Sequence, residues 1–177
     1  MAKSKNIFWI WILLGGLVVI LGIGLAIWYF AIGPSQQTAA KFSLSTDKAS
    51  YSQNDTIMLD WIVMAPQSPE LNAVVATISW EANKGDIELT DVAGVTGFSE
   101  GSFDLSSANS TGTLKLGVVK NESNFVPQTS TSVAKFTFKA ITSAKNVTIN
   151  VSNAQAKNVD TKQVVDLNST GVTFTLK

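Results

Sequence analysis

Residues 57–63 read Ile57-Met58-Leu59-Asp60-Trp61-Ile62-Val63, with large apolar side chains at 57, 59, 61 and 63. Successive side chains of an extended chain point to opposite faces, so this spacing predicts a strand with one face turned to a core. Met58, Asp60 and Ile62 take the other face. The same period runs outward in both directions from Lys41 onward. Val74, Ala76, Ile78 and Trp80 alternate with Val75, Thr77, Ser79 and Glu81. Leu114, Leu116 and Val118 repeat it, as do Ala134, Phe136 and Phe138; Val147, Ile149 and Val151; and Val172, Phe174 and Leu176. Turn-forming clusters lie between the runs, at Ser52 to Asp55, Asn83 to Asp86, Ser106 to Gly112 and Lys120 to Asn124. No helical period emerges after residue 40. Short strands with turns every ten residues or so predict an all-β sandwich over residues 41–177, with Trp61 and Phe136 between its sheets.

Upstream the chain changes character. Residues 7–33, IFWIWILLGGLVVILGIGLAIWYFAIG, contain no charge. As a helix they span about 40 Å, more than the ~30 Å hydrocarbon core of a bilayer. Trp9 and Trp11 sit near one end and Trp28 and Tyr29 near the other. Aromatic rings with a polar edge favour the two headgroup layers, so this is the pattern of a spanning helix with interfacial anchors. Lys3 and Lys5 precede the run, and the next lysine is Lys41. Positive charge stays on the cytoplasmic side, which places residues 1–6 in the cytoplasm and residues 41–177 outside the cell membrane. A cleaved signal peptide would have an apolar run of about 7–15 residues before a small-x-small site. Here the run is longer, and Ala31-Ile32-Gly33 is followed by Pro34. Residues 34–40 form a polar linker reaching about 25 Å when extended.

Composition removes several classes of chemistry. The chain has no cysteine and no histidine. It therefore lacks disulfides, a thiolate nucleophile, imidazole metal ligands and an imidazole base. All 13 basic residues are lysines, and 11 of them face 13 acids after the apolar run. Such a near-neutral domain has no electrostatic footprint for nucleic acid. Serine and threonine are abundant, but no G-x-S-x-G elbow is present. Asp86, Glu88 and Asp91 are close in sequence, and Asp86 and Glu88 are expected on one strand face. A solvated sheet edge explains them better than paired glycosidase carboxylates, and they lack the D-x-D-x-D-G spacing of a calcium loop. No catalytic, cofactor or metal residue is assigned.

Trp61 and Trp80 fall in phase with aliphatic residues and are expected to be buried. Tyr51 and Phe125 flank polar turns and are the aromatic candidates for an exposed sugar-binding surface. Six N-x-S/T sequons begin at Asn54, Asn109, Asn121, Asn146, Asn150 and Asn168, consistent with an outside location.

The stretch Tyr51-Ser52-Gln53-Asn54-Asp55-Thr56-Ile57-Met58-Leu59-Asp60 resembles the opening of cohesin-like domains, where a turn and an Asp-Thr pair lead into an alternating strand. Leu71 to Glu81 looks like the family's next strand, and Ile87 to Val92 like the one after it. Ala134 to Ala140 resembles its late strand, followed by a closing segment like Val147 to Asn158. Glu81-Ala82 stands where the family usually has Asp-Pro. The resemblance covers about residues 42–160. It implies a jelly-roll sandwich related to carbohydrate-binding modules and, as in classical members, a protein partner rather than a reaction.

The sequence thus points to a membrane-anchored, non-enzymatic extracellular binding module that engages a protein partner, with the bilayer as its other neighbour. The alternative ligand is polysaccharide. A third possibility is a pilin- or archaellin-like structural subunit. Against it stand the missing Lys-Gly processing site before the helix and the missing glutamate within the run. The lysine asymmetry yields a topology test. Protease added to intact cells is expected to cut on the side of Lys84 and Lys120, leaving a membrane-held stub with Lys3 and Lys5. Full protection of the domain would contradict the assigned orientation.

Overall fold

The computed structural model describes residues 40–177 apart from Gln67 and Glu122. The expected membrane helix at 7–33, Lys3 and Lys5, the interfacial Trp9, Trp11, Trp28 and Tyr29, and linker positions 34–39 lie outside the described residues. Among the described residues no helix is long and apolar enough to cross a membrane.

The alternation of apolar and polar residues is realised as strands β1 (Lys41–Thr46), β2 (Ser50–Tyr51), β3 (Thr56–Met64), β4 (Ala73–Ser79), β5 (Ile87–Gly94) and β6 (Phe98–Glu100). A short helix, α1 (Leu105–Thr111), follows. Then come β7 (Thr113–Lys120), β8 (Thr131–Ala140), β9 (Lys145–Asn158), β10 (Gln163–Asp166), β11 (Asn168–Thr170) and β12 (Val172–Leu176). One sheet has the order β11-β1-β3-β8-β5. The other has β2-β12-β9-β4-β7-β6, with β10 paired to β9 beside β12. The result is an all-β sandwich.

Between the sheets the residues in phase with Trp61 meet. Ile57, Leu59, Trp61, Val63, Phe136, Phe138, Val74, Ile78, Val147 and Ile149 are all buried. Trp61 stacks on Phe136 with ring centroids 5.8 Å apart and tilts against Phe42 at 5.0 Å. Trp80, at the end of β4, meets Phe138 of the opposite sheet edge to face at 5.1 Å. Aromatic pairs in such offset or edge-on geometry add to what their burial already contributes.

Two features depart from the sequence reading. Ser106 to Gly112 is not a turn but helix α1 with its cap. Asp104 accepts from the N–H groups of Ser106 and Ser107, and Gly112 ends the helix in the left-handed region at φ 67°. Seven residues are too few to show a helical period, and Ser, Asn and Thr read as turn formers. The helix has a job at the sheet edge. The Asn109 carboxamide accepts from Leu89 N–H and donates to Leu89 C=O, both at 2.8 Å, so it imitates one rung of a neighbouring strand on β5. The Glu100 carboxylate caps Gly94 N–H on the same strand at 2.7 Å. Blocking unpaired edge groups in this way discourages edge-to-edge aggregation.

The second departure is in β9. Val147 and Ile149 face the core, but further along Ala154, Ala156 and Asn158 do so. The parity changes because Val75 pairs with Gln155 whereas Thr77 pairs with Ser152, leaving an extra residue in β9 opposite Ala76. Asn153 sits there at φ 52°, a conformation asparagine tolerates better than most residues.

The strand directions put Lys41, paired with Met64 and Asn168, at one pole of the sandwich. Leu176, paired with Lys145 and Tyr51, is at the other.

Phe136 has no exposed surface. Phe136→Ala is expected to cost about 3–5 kcal/mol, read as a lower urea midpoint with an unchanged slope. An unchanged midpoint would contradict this packing.

Candidate functional site

The two outer faces differ in chemistry because their strands carry different polar residues. The five-stranded sheet presents Lys135 beside Asp60 at 3.9 Å, and Glu88 paired across strands with Lys139. The central strands β9, β4 and β7 of the other sheet present mainly hydroxyls, amides and small apolar groups. Reading across the register, Asn150, Ser79 and Thr113 form one row, and Ser152, Thr77 and Lys115 the next. Gln155, Val75 and Gly117 form the row beyond, followed toward the first pole by Lys157 and Val119.

A depression of about 420 Å³ lies across the middle of this face, lined by Val75, Thr77, Lys115, Gly117, Asn153 and Gln155. Two local causes create it. Gly117 supplies no side chain, and a Cβ built there would lie 3.4 Å from Val75 Cγ1, in ordinary contact. The bulge in β9 raises the Asn153 side as a wall. Val75 is half-buried, so the floor is apolar, and the exposed Val119 lies two residues beyond Gly117 on the same strand. Lys115 is exposed and outside the ion pairs formed among the described residues, which are Lys135 with Asp60 and Lys145 with Asp86. Asp166, on β10, accepts from Gln155 Nε2 at 2.9 Å.

The aromatic candidates do not form a sugar platform. Tyr51 is buried, and its ring meets Phe174 edge to face at 5.4 Å. Its hydroxyl donates to Asp47 and is bonded with Thr46. Burial and then the Asp47 partner push this phenol above its ordinary pKa. Phe125 is half-buried, edge-on to Phe98 at 5.1 Å, and its backbone bridges Leu71. Both residues sit beside polar turns, as the sequence indicated, but Tyr51 is buried against Phe174 and Phe125 is partly covered by Phe98. Trp61 and Trp80 are buried as expected.

The acidic trio is also split. Asp86 and Glu88 do not share a solvated face, because Asp86 is buried while Glu88 and Asp91 are exposed. The Asp86 carboxylate accepts from Lys145 Nζ at 2.8 Å, Thr142 Oγ1 at 2.9 Å and Asn83 Nδ2 at 3.3 Å. Its backbone carbonyl accepts from Ile141 and Thr142. It therefore ties the turn before β5 to the loop between β8 and β9. Burial pushes its pKa up, but the bonds from Lys145, Thr142 and Asn83 and the lysine charge outweigh this, so the net shift is downward. Among the described residues no group of three or more carboxylates is placed to hold a metal.

Of the sequons, Asn54, Asn121, Asn146, Asn150 and Asn168 are exposed. Asn109 is committed to Leu89 through the nitrogen a glycan would occupy. Sequence reasoning missed the depression altogether. Its signal was Gly117 in the middle of an otherwise regular strand, which marks a close approach or an open site.

No family model and no curated protein sequence matches this chain. Solved structures do. A cohesin module from a family 33 glycoside hydrolase of Clostridium perfringens aligns with a TM-score of 0.67 at 9% identity, over 78% of this chain and 97% of that one. The sixth cohesin of scaffoldin B from Acetivibrio cellulolyticus, solved in complex with a dockerin, aligns at 0.55 and 15% identity, over 77% and 99%. A non-cellulosomal cohesin from the archaeon Archaeoglobus fulgidus aligns at 0.56 and 12% identity, over 79% and 92%. At these identities the likeness is one of fold: residues 40–177 form a cohesin-like β-sandwich.

The Asp86 cluster gives a pH test. Its depressed pKa means the stabilisation is fully present above the ordinary carboxylate value and is lost as pH falls through the lowered folded value. Asp86→Asn is expected to cost about 1–3 kcal/mol at pH 7. In urea titrations the gap to the parent protein should close below about pH 4. A gap that persists unchanged into acid would rule out the ion pair as its source.

Proposed function

We propose that this chain is a non-enzymatic module that binds a protein partner through the outer face of its seven-stranded sheet, held outside the cell by the helix expected at 7–33. The observation that carries the reading is the face itself. Its central strands present no carboxylate and few charges, and they enclose a shallow apolar-floored depression. Depletion of charge at the centre, with hydrogen-bonding groups around it, is the composition of a protein–protein interface. The fold supports the same reading, because a cohesin of this fold has been solved with a dockerin seated on it. A sugar-binding role has less support, since Tyr51 is buried and Phe125 is half-buried against Phe98. Hydrolysis is disfavoured because Asp86 is engaged with Lys145 and the other two acids stand apart from it.

The test uses the full chain, solubilised from membranes, with two charge insertions of opposite placement. Val75→Glu enters the depression. Met58→Glu lies on the other sheet, where Met58 is exposed. A cell-envelope protein retained by the parent and by Met58→Glu, but lost with Val75→Glu, is the expected outcome. Retention of polysaccharide instead would favour the glycan reading, filaments grown from the pure chain would favour a structural subunit, and turnover of any glycan or peptide would overturn a pure binding role.

A further inference from the structure

The depression also carries information about the partner's chemistry. Its floor is Val75 and Gly117, directly opposed across β4 and β7. Two residues along β7, about 7 Å away, stands Lys115 on the same face. The residue across from it is Thr77, and no acid projects from the central strands near it. On the far wall Asn153 and Gln155 offer amides, and Gln155 already holds the Asp166 carboxylate. An ammonium beside an apolar hollow, outside the ion pairs formed among the described residues, is complementary to one kind of surface.

We infer that the partner presents an aliphatic side chain seated over Gly117 and, about 7 Å from it, a carboxylate that pairs with Lys115. That separation corresponds to residues i and i+3 or i+4 of a helix, or i and i+2 of a strand. Pairing at the edge of a dry contact fixes register and excludes partners with a cation at that point, because two ammonium groups would then be pressed together. The inference rests on the binding face proposed above and adds the sign of the charge it selects.

The test is panning of a phage-displayed random peptide library on the immobilised full chain. Clones are then scored on Lys115→Glu and on Gly117→Leu, after thermal melts confirm that both variants are folded. Gly117→Leu fills the hollow without meeting backbone, since the nearest atom to the added Cβ is the Val75 side chain. The expected clones carry Asp or Glu close to Leu, Ile or Val. Gly117→Leu should abolish their capture, Lys115→Glu should lower it about ten-fold or more, and repeat panning on Lys115→Glu should enrich Lys or Arg instead. Clones that depend on Gly117 but lack acids and ignore Lys115→Glu would overturn this inference while leaving the binding face standing. Failure to obtain any clone that depends on Gly117 would overturn both.

Discussion

Strand β9 has to satisfy the core along the whole length of the sandwich, and it does so only by changing parity. In its first half it pairs with β12 and buries Val147 and Ile149. In its second half it pairs with β10 and buries Ala154, Ala156 and Asn158. A strict period of two would turn one of these sets to solvent. The extra residue at Asn153 resolves the conflict, and much else depends on it. Leu167 N–H reaches Ala154 C=O at 2.9 Å, which guides the chain from β10 toward β11 in the opposite sheet. Asn158, turned inward, donates to Glu70 C=O and accepts from Asp160 and Thr161 N–H. Asn72, buried beside it, accepts from Val159 N–H and donates to Asp160. A cluster of amides thereby organises the loops at the first pole.

The same irregularity makes the outer surface. A regular strand beside β4 would leave a flat sheet face. The bulge lifts one flank and Gly117 lowers the middle, so a hollow forms from two backbone events rather than from a large loop. Its shape is set by β4, β7 and β9, which are paired on both sides, so it is already formed before a partner arrives. Preformed surfaces of this kind lose little conformational freedom on binding.

Much of this architecture was legible in the sequence, for a physical reason. Ile57 to Val63, Val74 to Trp80 and Ala134 to Phe138 each lie wholly within one parity, so counting by twos found their buried faces. The resemblance to cohesin-like domains draws on those segments together with the Tyr51 to Asp55 turn, Ile87 to Val92 and Val147 to Asn158, and the solved structures agree with it at the level of fold. What escaped was everything that breaks the count. Ala154 and Ala156 are small, so the change of phase in β9 left little hydrophobic signal, although Gln155 and Lys157 between them marked the new parity. Helix α1 was hidden by its Ser and Asn content, while its bracket of Asp104 and Gly112 was there to be read. Tyr51 and Asp86 were misplaced for a shared reason. Each sits next to a polar turn, and the partners that meet it, Phe174 and Lys145, are distant in sequence. The hollow left a single mark in the sequence, Gly117 inside a regular strand, because an absent side chain adds nothing to a hydrophobic period.

The placement of Lys41 and Leu176 at opposite poles has a mechanical consequence. A pull applied between the two ends of the sandwich runs along the strands. β1 is clasped by β3 over six paired positions and by β11 over three. β12 is clasped by β9 over five and by β2 over two. Force in this direction loads those rungs side by side, in shear, so they must fail together rather than unzip one at a time. β11 runs parallel to β1, and β2 parallel to β12, so each end strand is gripped on both sides. The domain is therefore built to resist tension along its axis, and it would give way far more readily to a load that peeled β1 or β12 sideways from its neighbours.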